Sequence, residues 1–137
     1  MITIIESPYA GEVEENLKYL RACMAHSFSR DEVPFASHGL YTQPGVLDDT
    51  DPAQRLKGMR AGFRIASALL ASGEPVTWCF YVDRGWSNGM RDGLETALRF
   101  MAKIEFRSLA HDLNLIADAI NIRRETSSKL ALLRWSK

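Results

Sequence analysis

The sequence predicts an α/β domain: a single open parallel sheet of four to five strands with helices on both faces, Rossmann-like or flavodoxin-like. Three observations predict it. Short apolar runs alternate four times with helix-length amphipathic segments, the order of a parallel sheet with right-handed crossovers. The stretch "PVTWCFYV", residues 75–82, is continuously apolar, as a central strand covered on both faces must be. A chain of 137 residues, 46% of them hydrophobic, is one domain with a sizeable core.

Ile2 to Ile5 is the first strand, short and β-branched. Apolar residues stop at Glu6, and a Ser-Pro-Tyr-Ala turn ends on Gly11. Glu12 to Ser29 reads as a helix, with Val13, Leu17, Leu20, Met24 and Phe28 on one stripe. Acids Glu12, Glu14 and Glu15 sit in its first turn, at the positive end of its dipole. Val33 to Ser37 is a second strand, and His38 to Thr50 a loop too polar and too punctuated for regular structure. Asp51 caps a helix with Pro52 behind it, running to about Ser72 and stopped by Gly73. Pro75 to Val82 is the central strand, broken by "DRGWSNG". Ser87 caps the next helix, whose buried stripe is Met90, Leu94, Ala97, Leu98 and Met101. "KIEFRSL" is a fourth strand. A helix from Leu109 to about Arg124 and a further amphipathic segment make residues 109–137 a helical extension of the one domain.

Charge and cysteine usage exclude several classes. Net charge is zero, against the basic footprint expected of a nucleic-acid binder. Residues 1–55 nevertheless carry nine acids against four bases, and the last 17 residues five bases against Glu125. That basic tail is a solvated helix face or a surface that touches RNA or an acidic partner. Cys23 and Cys79 lack metal-ligand spacing and read as buried small hydrophobes in a reducing compartment. Met1 to Ile5 is too short for a signal peptide, and no run reaches the ~20 apolar residues that span a bilayer. The expectation is a cytoplasmic protein with no membrane partner, no metal and no cofactor. Leu113, Ile116, Ile120, Leu130, Leu132 and Leu133 exceed what one sheet face covers, which predicts a homo-oligomer, most simply a dimer.

In parallel α/β sheets ligands bind at the carboxyl ends of the strands, near the point where strand order reverses. Those ends carry Glu6, Ser7 and Tyr9; His38; and Asp83, Trp86, Ser87, Gly89 and Met90. Ser87-Asn88-Gly89 offers a hydroxyl and exposed amides to an anion, or is a plain helix cap. Asp83 accepts from sugar hydroxyls or braces its loop. Tyr9 and Trp86 stack on a base or cover the sheet edge. His38 has no partner at ligand spacing, so it orients a loop rather than holding a metal.

Two segments of this rim resemble the nucleoside 2-deoxyribosyltransferase-like superfamily. "IIESPYAGEVEENLKYLRACM" is similar to the family's first strand, its turn (here ending on Gly11) and its helix with an early Asn, here Asn16. "YVDRGWSNGMRDGLETAL" is similar to its Asp, Ser-x-Gly and glutamate-bearing helix, and the order of elements agrees over about residues 1–108. "PFASHGLYTQPGVLDDTDPAQR" resembles an uncharacterised phage-associated subgroup. The resemblance implies a pocket for a nucleoside or nucleotide and a helix glutamate, four residues after the motif glycine, that attacks the anomeric carbon or stabilises an oxocarbenium ion. Counting from Gly89, that position is Gly93. Glu95 lies about 200° further around the helix and has Arg91 and Arg99 one turn to either side, the pattern of a solvated ion pair. Glu6 is the other acid that can serve. The expectation is a protein that binds a nucleoside, nucleotide or related small molecule. Its function is N-glycosidase or deoxyribosyltransferase chemistry through Glu6 or Glu95, a non-catalytic binder that senses or sequesters a nucleotide, or a structural interaction domain. The glycine at 93 favours the binder.

Overall fold

The structure, a computed structural model, describes residues 1–135. Its centre is β1 (Ile2–Glu6), flanked by β2 (Val33–Phe35) and by β3 (Val76–Tyr81), with β4 (Lys103–Arg107) beyond β3. All pairings are parallel, in the order β2-β1-β3-β4. Ile2 stands level with Val33 on one side and Val76 on the other, and Glu6 with Phe80. The chain steps outward from β1 to β2, returns across β1 to β3, then steps outward to β4. The reversal falls between β1 and β3, so the ends of those strands flank the crevice where such sheets bind ligands.

Strand alternation sorts the core into two layers. On one face α1 (Val13–Ser29) packs Leu20 and Cys23 against Ile5, Cys79 and Tyr81. On the other, α3 (Pro52–Ala71), α4 (Asn88–Arg99) and α5 (Leu113–Trp135) bring Ala66, Leu94, Ala97 and Ala119 against Ile4, Trp78 and Phe80. Every residue of β3 is buried, as its apolar run requires. On the α1 side β4 ends in a charged lattice. The Arg107 guanidinium donates to both oxygens of Glu32, at 2.8 and 2.7 Å, and to the Tyr81 hydroxyl at 3.0 Å. The Arg107 bonds to Glu32, with one from Ser27, hold the Glu32 carboxyl down at about 2 despite its burial.

Three boundaries differ from expectation. The stretch expected as a loop from His38 begins with a one-turn helix, α2 (Ser37–Leu40), which also shortens the second strand to three residues. A single turn leaves no periodicity to read. The last helix starts at Leu113 rather than Leu109, because Asp83 accepts from the Ser108 hydroxyl and the Leu109 and Ala110 amides and fixes them as a turn. Asp112 then caps the helix through the Asn114 and Leu115 amides. From there α5 is one helix to Trp135, without the break expected near Arg124. Past Ile122 it is largely exposed, with Leu132 at 70% and Leu133 at 55%.

Candidate functional site

A half-open cleft lies at the carboxyl edge of the sheet, beside the β1–β3 crevice, with about 730 Å³ of space including its mouth. Four parts of the chain build it. The end of β1 supplies Glu6, Ser7, Tyr9 and Ala10; the α2 region supplies Ser37, His38, Tyr41, Thr42, Leu47 and Asp49. The first turns of α3 supply Gln54, Arg55, Gly58, Met59 and Phe63, and the start of α4 supplies Ser87 and Gly89.

Glu6 is the last residue of β1, so the sheet ladder fixes its backbone. Its side chain falls on the α3/α4 side, where the buried Trp78 indole donates to Oε1 at 3.1 Å. A β-carbon on Gly93 would lie 2.6 Å from Glu6 Oε1 and 2.7 Å from its Cδ. The Glu6 carboxyl thus occupies the space that any side chain at residue 93 would enter. Burial pushes its pKa up to about 8; the Trp78 bond opposes the shift and Asp92 adds to it. Glu6 therefore holds its proton at neutral pH.

Ser7, itself buried, points its hydroxyl at His38, with Oγ 2.8 Å from Nε2. Burial pushes the His38 imidazole down to about 4, so it is neutral at physiological pH. Close packing places this pair: a β-carbon on Gly39 would meet Leu20 at 2.6 Å, and one on Gly62 would meet the Ser37 side chain at 2.6 Å. On α3, Gly62 lets α2 lie close, while Gly58 makes room for Leu47 of the loop that follows α2.

At the far wall Ser87 caps α4, its Oγ accepting from the Met90 amide at 3.1 Å. A β-carbon on Gly89 would meet nothing nearer than Ser87 Oγ at 3.8 Å, so its absence leaves the helix start open to the cleft. Arg55 lines the facing wall with no ion pair or side-chain hydrogen bond among the described residues, feeling Asp49 and Asp92 only across space.

Of the residues expected at the site, Glu6, Ser7, Tyr9, His38, Ser87 and Gly89 converge on the cleft. The others stand outside its lining, each for a physical reason. Gly11, at φ 94°, makes the turn before α1. Asn16 donates to the Tyr9 and Ala10 carbonyls and accepts from Arg84, holding that turn in shape. Asp83 spends both oxygens on Tyr19, Ser108 and the Leu109 and Ala110 amides, bonds that outweigh its burial and lower its pKa. Trp86 stacks on Phe80 and edges onto Phe106 in the core instead of lidding the cleft. Met90 is buried beneath the cap. Glu95 pairs with Arg99 at 2.8 Å on the helix surface.

Sequence reasoning missed Tyr41, Asp49, Gln54, Arg55, Met59 and Phe63. Arg55 left one signal: it heads the stripe Gly58, Gly62, Ala66 at helical spacing, a charge on an otherwise inward face. Among the described residues no group of three or more His, Cys, Asp or Glu could hold a metal ion, and no helix is long and apolar enough to cross a membrane.

Fold and cleft together define an open parallel α/β domain with an acid-floored crevice at its switch point. The chain belongs to the DUF7768 family, a domain of unknown function, which it matches over residues 1–107, from the first strand to the end of β4. No curated protein and no solved structure matches the chain.

Proposed function

We propose that the cleft binds a nucleoside, nucleotide or closely related small molecule and that the protein cleaves its N-glycosidic bond, with Glu6 as the acid nearest the anomeric carbon. One observation carries this reading: the Glu6 carboxyl lies on Gly93, in the place where the superfamily resemblance puts a catalytic side chain. A glycine there removes the helix side chain and also makes room for an acid borne by β1. Tyr9 and Tyr41 offer faces for a base, while Ser87, Gly89 and Arg55 suit a 5'-phosphate. Two free, buried cysteines accord with a cytoplasmic setting. The exposed leucines and bases of α5 past Ile122 suit a homo-oligomer, most simply a dimer.

The test is a thermal-shift series with nucleosides and their 5'-monophosphates, joined to an assay of free-base release. A ligand stabilises by RT ln(1 + [L]/Kd), so monophosphates should raise Tm more than the matching nucleosides. Ser87→Ala and Arg55→Gln, each compared with its own ligand-free Tm, should shrink that difference. Equal shifts for both ligand classes would refute the phosphate assignment, and no shift with any would refute the ligand.

A further inference from the structure

Two proton-carrying groups line the one cleft: Glu6 at the end of β1, against Trp78 and Gly93, and His38 at the start of α2, bonded to Ser7. We propose that Glu6 and His38 form an acid–base pair that hydrolyses the N-glycosidic bond in one displacement, Glu6 protonating the departing base while His38, through the Ser7 hydroxyl, accepts a proton from the attacking water. This rests on the nucleoside reading above and goes beyond it. The superfamily resemblance implies a carboxylate that attacks the anomeric carbon or stabilises an oxocarbenium ion; a Glu6 that keeps its proton leaves the attack to water.

The balance of the step is simple. The water oxygen forms a bond to the anomeric carbon, and the carbon–nitrogen bond breaks with its electron pair leaving on nitrogen. That nitrogen takes the Glu6 proton. The water's proton passes to Ser7 Oγ as the Ser7 proton crosses the 2.8 Å Oγ–Nε2 hydrogen bond to His38, in the tautomer that carries its hydrogen on Nδ1. Glu6 ends as a carboxylate and His38 as an imidazolium, and proton exchange with solvent restores both.

The resting protonation states fit those roles in reverse of the usual order for a carboxyl and an imidazole. Burial leaves Glu6 protonated up to about pH 8 and His38 neutral down to about pH 4. A carboxyl that keeps its proton is a poor nucleophile and a good acid. The neutral imidazole is a weak base, and a weak base suffices because positive charge developing on the anomeric carbon in the transition state makes the incoming water acidic. The charged neighbours agree. Asp92 on α4 raises Glu6, and the indole of Trp78 on β3 donates to Oε1, which leaves the proton on Oε2. Asp49 and Arg55 line the same walls, and among the described residues no carboxylate is hydrogen-bonded to the His38 ring.

The experiment has three parts. Base release from deoxynucleosides and their 5'-monophosphates is followed against pH for wild type, Glu6→Gln, His38→Gln and Ser7→Ala. The sugar product is read by proton NMR before it equilibrates, and the His38 ring is titrated by NMR in the ligand-free protein. The expected wild-type profile is flat through neutrality and falls on the alkaline side near pH 8. Glu6→Gln and His38→Gln each lower kcat about 10²-fold or more with little change in KM. The product has inverted configuration, and the imidazole stays neutral from pH 5 upward. Retained configuration, a His38→Gln variant with wild-type kcat, or an imidazole that titrates near 6.5 would overturn the pair. If the panel binds but no base is released, the acid–base pair is refuted and the binding cleft stands. If nothing binds, both readings fall.

Discussion

Glu6 is where the chemistry of single residues is most exposed to test. The unfolded chain ionises this carboxyl near 4.5 and the folded protein keeps it neutral to about 8. The folded state therefore binds the extra proton between those values. Its stability is highest below the unfolded value, falls as pH rises through the window, and changes no further above it. Glu6→Gln keeps an oxygen for the Trp78 indole and carries no charge. It should match wild type at pH 4 and exceed it by about 2–4 kcal/mol at pH 8.5, in urea unfolding at the two pH values. A constant difference across pH would mean that Glu6 is ionised in the folded protein. Gly93→Ala probes the same contact from α4. Alanine favours a helix interior by about 1 kcal/mol over glycine, but its β-carbon evicts the carboxyl from Trp78. Stability should change little while the Trp78 indole N–H resonance shifts and the proposed base release disappears.

Elements are joined here by a few polar hubs, and Asp83 is the main one. Its carboxylate ties α1, through Tyr19, to the turn that launches α5. Asp83→Ala leaves the Leu109 and Ala110 amides and the hydroxyl hydrogens of Tyr19 and Ser108 without their acceptor, at a cost of about 2–4 kcal/mol in denaturant unfolding, yet the folded fraction should keep the proposed nucleotide affinity. Lost affinity with unchanged stability would instead make Asp83 a ligand contact. The strands and long helices were legible because burial writes itself as period: the all-apolar β3 and the stripes of α1 and α4 need no partner to be recognised. α2 was not legible because one turn carries no period, nor was the unity of α5, because Arg123 to Ser128 interrupts its apolar stripe. At the cleft, Glu6, Ser7, Tyr9, His38, Ser87 and Gly89 stood out because they sit where strands end. Asp83 and Trp86 stood out for the same reason and turned inward, and Arg55 and Tyr41 arrive by the fold of α3 and its preceding loop, which no local pattern announces.

At the scale of the molecule the match to the family ends with β4, and α5 lies beyond it. Its first turns are anchored by Ala119, fully buried among Leu115, Ile116 and Ile122. Its second half extends with Leu132 and Leu133 exposed among Arg123, Arg124, Lys129 and Arg134. A helical stretch of that length gains little from propensity alone and depends on packing. Light scattering at micromolar concentration should report a dimer, and a chain ending at Ile122 should report a monomer with its ligand-induced Tm shift retained. A monomeric mass for the whole chain would remove the proposed assembly.

The acid of this cleft hangs from a strand with a hydrogen-bonded neighbour on either side, whereas the walls that would judge the ligand belong to α2, the following loop and the head of α3. Position and preference are therefore inherited through different parts of the chain. Changes at Tyr41, Leu47, Asp49 or Met59 can reshape what enters without moving the Glu6 carboxyl, because the β1 ladder and Gly93 hold it. Related chains under divergent selection would be expected to vary in that outer shell, each keeping the same buried proton at its centre.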